Sequence, residues 1–243
     1  MKNRFFADKR DYFKWDFLED LLDRCPELQT FTNIVMLTED DETNQGQHTK
    51  YKREDRRTNL YKYLQSCLNS RERCVTKMRA YFQNRPFVYY PYRDDSFYTY
   101  ESRKEYFCNI DRQQLQRALV FFDPDIGLQT GTITYMKGKN GKGLDRYLFN
   151  ESLSLVSQKT PDDSIIVVYQ HLQWNRTRRR DDARERCDRF RIIVGSPSAV
   201  FVTDWDIAFL ATSRNLSVYE KLKATVMKHS ERHGLEWDEL TSC

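Results

Sequence analysis

The sequence predicts an α/β protein built on a single doubly wound, mostly parallel sheet with an antiparallel edge hairpin. Three observations predict it. Ala118–Phe122 and Ser164–Tyr169 run with almost no polar break, as strands covered on both faces do. Stretches of helical periodicity separate the strand candidates, which favours parallel neighbours joined by crossovers. Late in the chain, Ala199–Thr203 and Asp206–Ala211 face each other across Asp204-Trp205, the spacing of a hairpin.

The first element is an amphipathic helix from Asp8 to Cys25. Tyr12, Trp15, Leu18, Leu21 and Leu22 return at helical spacing, and Pro26 ends it. Its leading turn is placed to send Asp8, Lys9 and Tyr12 over the carboxyl edge of the sheet. Phe31–Leu37 reads as the first strand and exits into Thr38, Glu39 and Asp40; residues 43–48 read as a polar loop. Tyr61–Phe82 alternates apolar and basic residues in a helical manner, and Phe87–Tyr92 is rich in β-formers. Residues 93–115 form a candidate insertion, with Tyr98–Phe107 readable as strand or insert.

Ala118–Phe122 then ends abruptly at Asp123-Pro124-Asp125-Ile126-Gly127. Pro124 cannot donate to a strand ladder and drives Asp123 out of helical geometry. Two carboxylates therefore stand at a carboxyl strand end, where open α/β sheets bind ligands. Capping of a strand-to-helix turn is the plain alternative for either acid.

Thr132–Tyr135 reads as a short strand or hairpin arm. Behind it, Lys137-Gly138-Lys139-Asn140-Gly141-Lys142-Gly143 packs three of the chain's eight glycines into seven residues. It does not match the GxxxxGK[ST] phosphate loop. A basic flap over a phosphate backbone and a solvated hairpin tip both fit, with Lys137, Lys139 and Lys142 as the DNA-binding candidates. A helix from Asp145 to Gln158 leads to Ser164–Tyr169, which exits as Gln170-His171-Leu172-Gln173-Trp174. An arginine-rich helix runs from Thr177 to Arg191 and breaks at Gly195-Ser196-Pro197; Leu216–His233 is the closing helix. No internal repeat or low-complexity linker appears, so residues 1–243 read as one domain.

Composition narrows the class. Charged residues make up 31% and hydrophobic residues 39% of 243, and no apolar run approaches the ~20 residues of a membrane span. The N-terminus meets charge at once, unlike a secretory signal, so a cytoplasmic protein that does not engage a membrane is expected. Six cysteines without a CxxC pair read as reduced core residues, and no metal or other cofactor is expected. His229 and His233 lie four apart in His-Ser-Glu-Arg-His, which is not HExxH and reads as a surface helix end.

The net charge of +4 is uneven, with arginine concentrated between Arg176 and Arg191 beside a chain rich in tyrosine and phenylalanine. Basic clusters beside aromatics suit nucleic acid. Arg178, Arg179 and Arg180 precede the first acids of that helix and are the candidates for phosphate contact. Asp181, Asp182, Glu185 and Asp188 offer internal partners for the rest. A non-enzymatic interaction protein whose arginine helix binds an acidic partner is the alternative.

For chemistry, Asp123, Asp125 and His171 are the catalytic candidates. Asp8, Tyr12, Glu39, Asp40, Tyr169 and Trp174 are the substrate-pocket candidates, since carboxylates and aromatic faces bind sugar hydroxyls and flipped bases. The outline of a central strand ending in Asp-Pro and a late hairpin resembles class I methyltransferases. Here Asp123-Pro124-Asp125-Ile126 lacks the second proline and aromatic of their adenine-specific motif. Gly46 is the only glycine before Gly127, so no glycine-rich cofactor turn follows the first strand. A metal-dependent nuclease holding Mg²⁺ on Asp123, Asp125 and Glu39 or Asp40 is a further alternative, without a clear [DE]xK partner strand.

Phe122-Asp123-Pro124-Asp125-Ile126-Gly127 resembles the water-activating motif of the uracil-DNA glycosylase superfamily, with His171 in the place of its second motif. Phe121-Phe122 stands where glycine is expected, and Pro-Ser does not follow His171. Phe6–Lys14, Phe121–Leu128 and Val168–His171 together are similar to bacterial anti-phage DNA glycosylases acting on glucosylated hydroxymethylcytosine. That resemblance implies a hydrolase without a cofactor, double-stranded phage DNA with modified cytosine as its partner, no obligate protein partner, and abasic sites as its product.

Overall fold

Four parallel strands form one side of a seven-stranded sheet in the computed structural model, which describes residues 1–40, 46, 49, 57–129, 143–172 and 176–242. The strands are β1 (Thr30–Ile34), β2 (Val88–Tyr92), β3 (Ala118–Phe122), β4 (Gly127–Leu128), β5 (Tyr147–Leu148), β6 (Ile165–His171), β7 (Ser198–Asp204), β8 (Ile207–Thr212) and β9 (Glu236–Thr241). The main sheet has the order β2-β1-β3-β6-β8-β7-β9, and β4 and β5 pair separately. β1, β2, β3 and β6 run parallel, and β8 and β9 run against their neighbours. The expected doubly wound sheet with antiparallel strands at one side is therefore present. The β7–β8 hairpin sits one strand in from the edge, because β9 adds along β7.

The helices are α1 (Lys9–Arg24), α2 (Thr58–Asn69), α3 (Met78–Phe82), α4 (Arg103–Cys108), α5 (Asn150–Lys159), α6 (Arg179–Val194) and α7 (Leu216–His233). Strand periodicity sorts the core into two halves. Leu119, Phe121, Val167, Tyr169, Val202 and Phe209 pack beneath α1, α2 and α7; Val120, Phe122, Ile166, Val168, Phe201 and Leu210 pack against α4, α5 and α6. Burial on both faces explains why β3 is apolar throughout and β6 is apolar from Ile165 to Tyr169.

Several boundaries differ from the sequence reading. β1 ends at Ile34 rather than Leu37, because Met36 adopts φ +43° and turns the chain out of the sheet. The helix expected over residues 61–82 is two helices: Arg71 takes φ +59°, and the Ser70 hydroxyl donates to the carbonyls of Ser66 and Cys67. Residues 93–115 hold no strand; α4 and a 3-10 turn at Arg112–Leu115 bury Tyr98, Tyr106, Phe107 and Leu115 on the way from β2 to β3. Asp145 lies in a 3-10 turn ahead of β5, so α5 starts five residues later than expected. The candidate strand 132–135 and the lysines 137, 139 and 142 lie outside the described residues, as does Trp174. Among the described residues, no helix is long and apolar enough to cross a membrane.

Candidate active site

The strand order reverses direction between β1 and β3, which makes the crevice at their carboxyl ends the switch point of the sheet. Asp123, 2% exposed, stands there at the end of β3. α1 crosses above it. Its N-cap is Asp8, whose carboxylate accepts from the Asp11 amide, and Ala7 enters the cap at φ +61° with its amide donating to Asp11 Oδ2. That cap fixes the first turns, so Asp11, Lys14 and Trp15 face the sheet together. Lys14 Nζ then lies 2.5 Å from Asp11 Oδ1 and 2.7 Å from Asp123 Oδ2, with all three side chains out of water. Trp15 Nε1 donates to Asp11 Oδ2 at 2.9 Å.

The Met1 ammonium completes the floor, donating to the carbonyls of Met36 (3.0 Å) and Asp123 (3.1 Å). The switch-point crevice is thereby occupied by the chain's own Met1 and Lys14. The first strand's exit, Val35 to Thr38, is fully buried under them. A dinucleotide or S-adenosylmethionine would have to displace both cations, so the residues present do not fit such a cofactor at this point.

Asp125 is also buried, with partners of its own. Arg146 Nε contacts Asp125 Oδ2 at 2.6 Å and Lys2 Nζ approaches it at 3.9 Å. Arg146 is brought there by the β4–β5 pair, with the Ile126 amide donating to the Arg146 carbonyl. Gln170, fully buried at the end of β6, holds the segment after Asp125: its Oε1 accepts from the Leu128 amide at 2.8 Å. Gly127 is required here, at φ +125°, because a Cβ would lie 2.4 Å from Gln170 Oε1. Gly127→Ala should destabilise the fold by about 2–4 kcal/mol, from backbone strain plus overpacking. Urea unfolding checks this; an unchanged midpoint would show that Gln170 gives way freely.

His171 and Tyr169 emerge on the α1 side of β6, with the Tyr169 hydroxyl 3.2 Å from His171 Nε2. Arg10 pairs with Asp206 at 2.6 Å, and the Leu172 amide donates to the Asp206 carbonyl, so the β7–β8 turn closes this flank.

Burial and neighbours divide the protonation states. Burial pushes the Asp123 carboxyl up, opposed by Lys14, while Lys14 itself is held charged by Asp11 and Asp123 against its own desolvation. Asp125 is held below the usual carboxylate range: burial raises it, but the Met1 ammonium, Arg146 and Lys2 more than compensate. Burial, then Asp11, push Asp8 up to about 6. Burial, then Arg10, bring His171 down to about 4, so its ring is neutral at pH 7.

These last two shifts have opposite consequences for stability. Folded Asp8 binds its proton more tightly than in the unfolded chain, so its contribution is present below about pH 4 and is lost as pH rises through about 6. Folded His171 binds its proton less tightly, so its contribution is present above about 6.5 and is lost as pH falls through about 4. Asp8→Asn, which keeps a capping oxygen, should therefore make stability climb more steeply from pH 4 to 6. His171→Gln should make it climb less steeply over the same window. Urea midpoints across pH test both; parallel curves for wild type and variants would contradict the assignment.

The other sequence candidates disperse. Glu39 and Asp40 are exposed on the rim of the same edge, where Asp40 Oδ1 accepts from the Arg4 amide. Tyr12 lies on the far side of α1, its hydroxyl accepting from the Arg57 amide at 2.6 Å. Arg178 caps α6 and is exposed; Arg179 lies over the Trp205 ring; Arg180 and Arg184 both reach Asp238 on β9. Two arginines of this helix pair with its own acids, Arg186 with Asp182 and Arg191 with Asp188. Sequence reasoning missed Lys2, Arg10, Asp11, Lys14, Arg146, Gln170 and Asp206. The i,i+4 spacing of Asp11 and Trp15 was visible in the sequence; the rest, Lys14 included, depends on tertiary approach.

A second charged cluster lies on the back of α1. His229 is 1% exposed, not at a surface helix end, and its Nδ1 lies 2.7 Å from Asp20 Oδ2; His233 Nε2 lies 3.0 Å from Asp16 Oδ2. Asp16, His229 and His233 have ligand atoms within 4.8 Å of one another. Arg57 and Arg232 already bind both Asp16 and Asp20, and these two guanidinium groups would repel a divalent cation. The cluster therefore serves as a clasp between α1, α2 and α7.

No protein-family model, curated protein or solved structure matches the chain.

Proposed function

We propose that the protein is a DNA glycosylase that hydrolyses the N-glycosidic bond of a modified base, glucosylated hydroxymethylcytosine in phage DNA, and leaves abasic sites as a cytoplasmic anti-phage defence. The observation that carries this reading is that Asp125 and His171 stand at the same carboxyl edge of the parallel strands, where the His171 amide donates to the Ile126 carbonyl at 2.7 Å. Base excision needs an anion for the attacking water or the cationic sugar, and a donor for the departing base. Asp125 suits the first task because its cationic neighbours keep it charged. His171, beside Tyr169, suits the second: a neutral imidazole can give an N–H to a base without needing an acidic medium.

Both central acids are buried, and their partners separate them. Asp123 is locked to Lys14, whose side chain is only 4% exposed, whereas Arg146 over Asp125 is 42% exposed and free to turn outward. Arg146 and the half-exposed Arg10 form the outer wall, where cations would meet DNA phosphates. Water is the only co-reactant this chemistry requires, which accords with a switch point filled by Met1 and Lys14.

A second reading is supported by the strand order. Four parallel strands followed by a reversed strand wedged between β6 and β7 keep the outline that resembles class I methyltransferases. One experiment separates the readings. Purified protein is incubated with phage DNA carrying glucosylated hydroxymethylcytosine, hydroxymethylcytosine or cytosine, with and without EDTA and with and without S-adenosylmethionine. Aldehyde-reactive abasic sites on the glucosylated DNA, unaffected by either addition, are expected. Direct nicks abolished by EDTA would replace the proposal with a nuclease, and methyl incorporation would replace it with a methyltransferase.

A further inference from the structure

We infer that Tyr169 is a positioning residue: its hydroxyl fixes His171 as the tautomer with the proton on Nδ1, and so decides which atom of the ring can donate to a departing base. Only that last step, donation to a base, rests on the glycosylase reading above. A neutral imidazole has one N–H and one bare nitrogen, and the group bound to one nitrogen selects the place of the proton. Tyr169 and His171 lie two apart on β6, so their side chains leave the same face of the sheet. The two rings meet edge to face with centroids 5.2 Å apart, and the Tyr169 ring also packs against Phe209, its register partner on β8. Tyr169 is held between them, and its hydroxyl lies 3.2 Å from His171 Nε2.

The direction of that hydrogen bond follows from the partners each atom has. Burial pushes the Tyr169 hydroxyl well above its ordinary range, so it keeps its proton at neutral pH. Tyr169 is only 8% exposed, and among the described residues His171 Nε2 is the one acceptor within reach of its O–H. Were Nε2 to carry the ring proton, the hydroxyl would accept it and its own hydrogen would be left without a protein partner, a costly state for a buried donor. The hydroxyl therefore donates to Nε2, and the ring proton sits on Nδ1. Among the described residues Nδ1 has no hydrogen-bond partner, and it is not one of the buried polar atoms stranded without one, so it opens to solvent. The N–H that a base could take up is thus the outward one, and the tyrosine behind the ring keeps it there.

The test reads the proton directly, in the full chain with its histidine ring nitrogens labelled with ¹⁵N. Long-range ¹H–¹⁵N correlation spectra at neutral pH distinguish a bare ring nitrogen from a protonated one, and His171→Gln identifies the signal by its loss. Wild type should show His171 bare at Nε2 and protonated at Nδ1. Tyr169→Phe removes only the hydroxyl and should bring the Nε2–H form into the population. In excision assays the same variant should lose about tenfold in kcat with KM nearly unchanged, a part of what a positioned donor supplies. A proton on Nε2 in wild type, or an unchanged tautomer in Tyr169→Phe, overturns the inference, and so does a changed tautomer with wild-type kcat. The wild-type spectrum decides the point even should Tyr169→Phe fold poorly. If wild type excises no base, the glycosylase reading fails by itself, and the spectra still show whether Tyr169 sets the proton of His171.

Discussion

Asp125→Asn is expected to leave a folded, DNA-binding protein whose excision rate falls by a factor of about 10² to 10⁴, the range associated with losing a positioned acid–base group. The substitution keeps the size of the side chain and a hydrogen-bond acceptor for Arg146, while removing the negative charge. Arg146, already 42% exposed, can turn to water, so the fold loses little. The loss should appear in kcat with KM nearly unchanged, because the charge acts on a cation that forms only in the transition state. Single-turnover release of free base from labelled DNA measures it. Wild-type turnover in Asp125→Asn would reduce the acid to a partner of Arg146 and move the search to Asp8, whose carboxyl is poised near 6.

Lys14→Met should have the largest effect on stability, about 3–5 kcal/mol, because it strands Asp11 and Asp123 in a region without water. The energy at stake is the desolvation of two carboxylates, not the strength of the ion pairs. That distinction is testable: Lys14→Met with Asp123→Asn should recover much of the loss, since only one buried charge then remains and Trp15 and the Ala7 amide still serve it. Urea unfolding of the single and double variants decides the matter. Additive losses would show that Lys14 acts mainly through packing of its stem.

These two residues also mark the limit of what the sequence discloses. The Asp123-Pro124-Asp125 corner was legible because an apolar run, a proline and a glycine are local signals. The bounds of β3 and α7 followed from periodicity and agree with the structure residue for residue. β9 was not legible: Glu-Trp-Asp-Glu-Leu-Thr carries three acids, which an edge strand tolerates in water and a central strand would not. Lys14 was hidden for a different reason. A lysine on an amphipathic helix ordinarily faces solvent, and only the placement of α1 over the end of β3 turns it inward. The same holds for Tyr12, whose apolar ring suggested the sheet edge but whose hydroxyl is held by Arg57 on the opposite side.

The clasp on the back of α1 has a consequence in time. Asp16 and Asp20 are satisfied by Arg57, Arg232 and His229, and the last two lie more than two hundred residues further along the chain. A ribosome adding roughly ten residues per second needs on the order of 20 s to reach them after finishing α1. During that interval Asp16 and Asp20 are held by Arg57 but lack Arg232 and His229. The clasp that fastens α1 over β3 is thus completed only once the α7 segment has been synthesised.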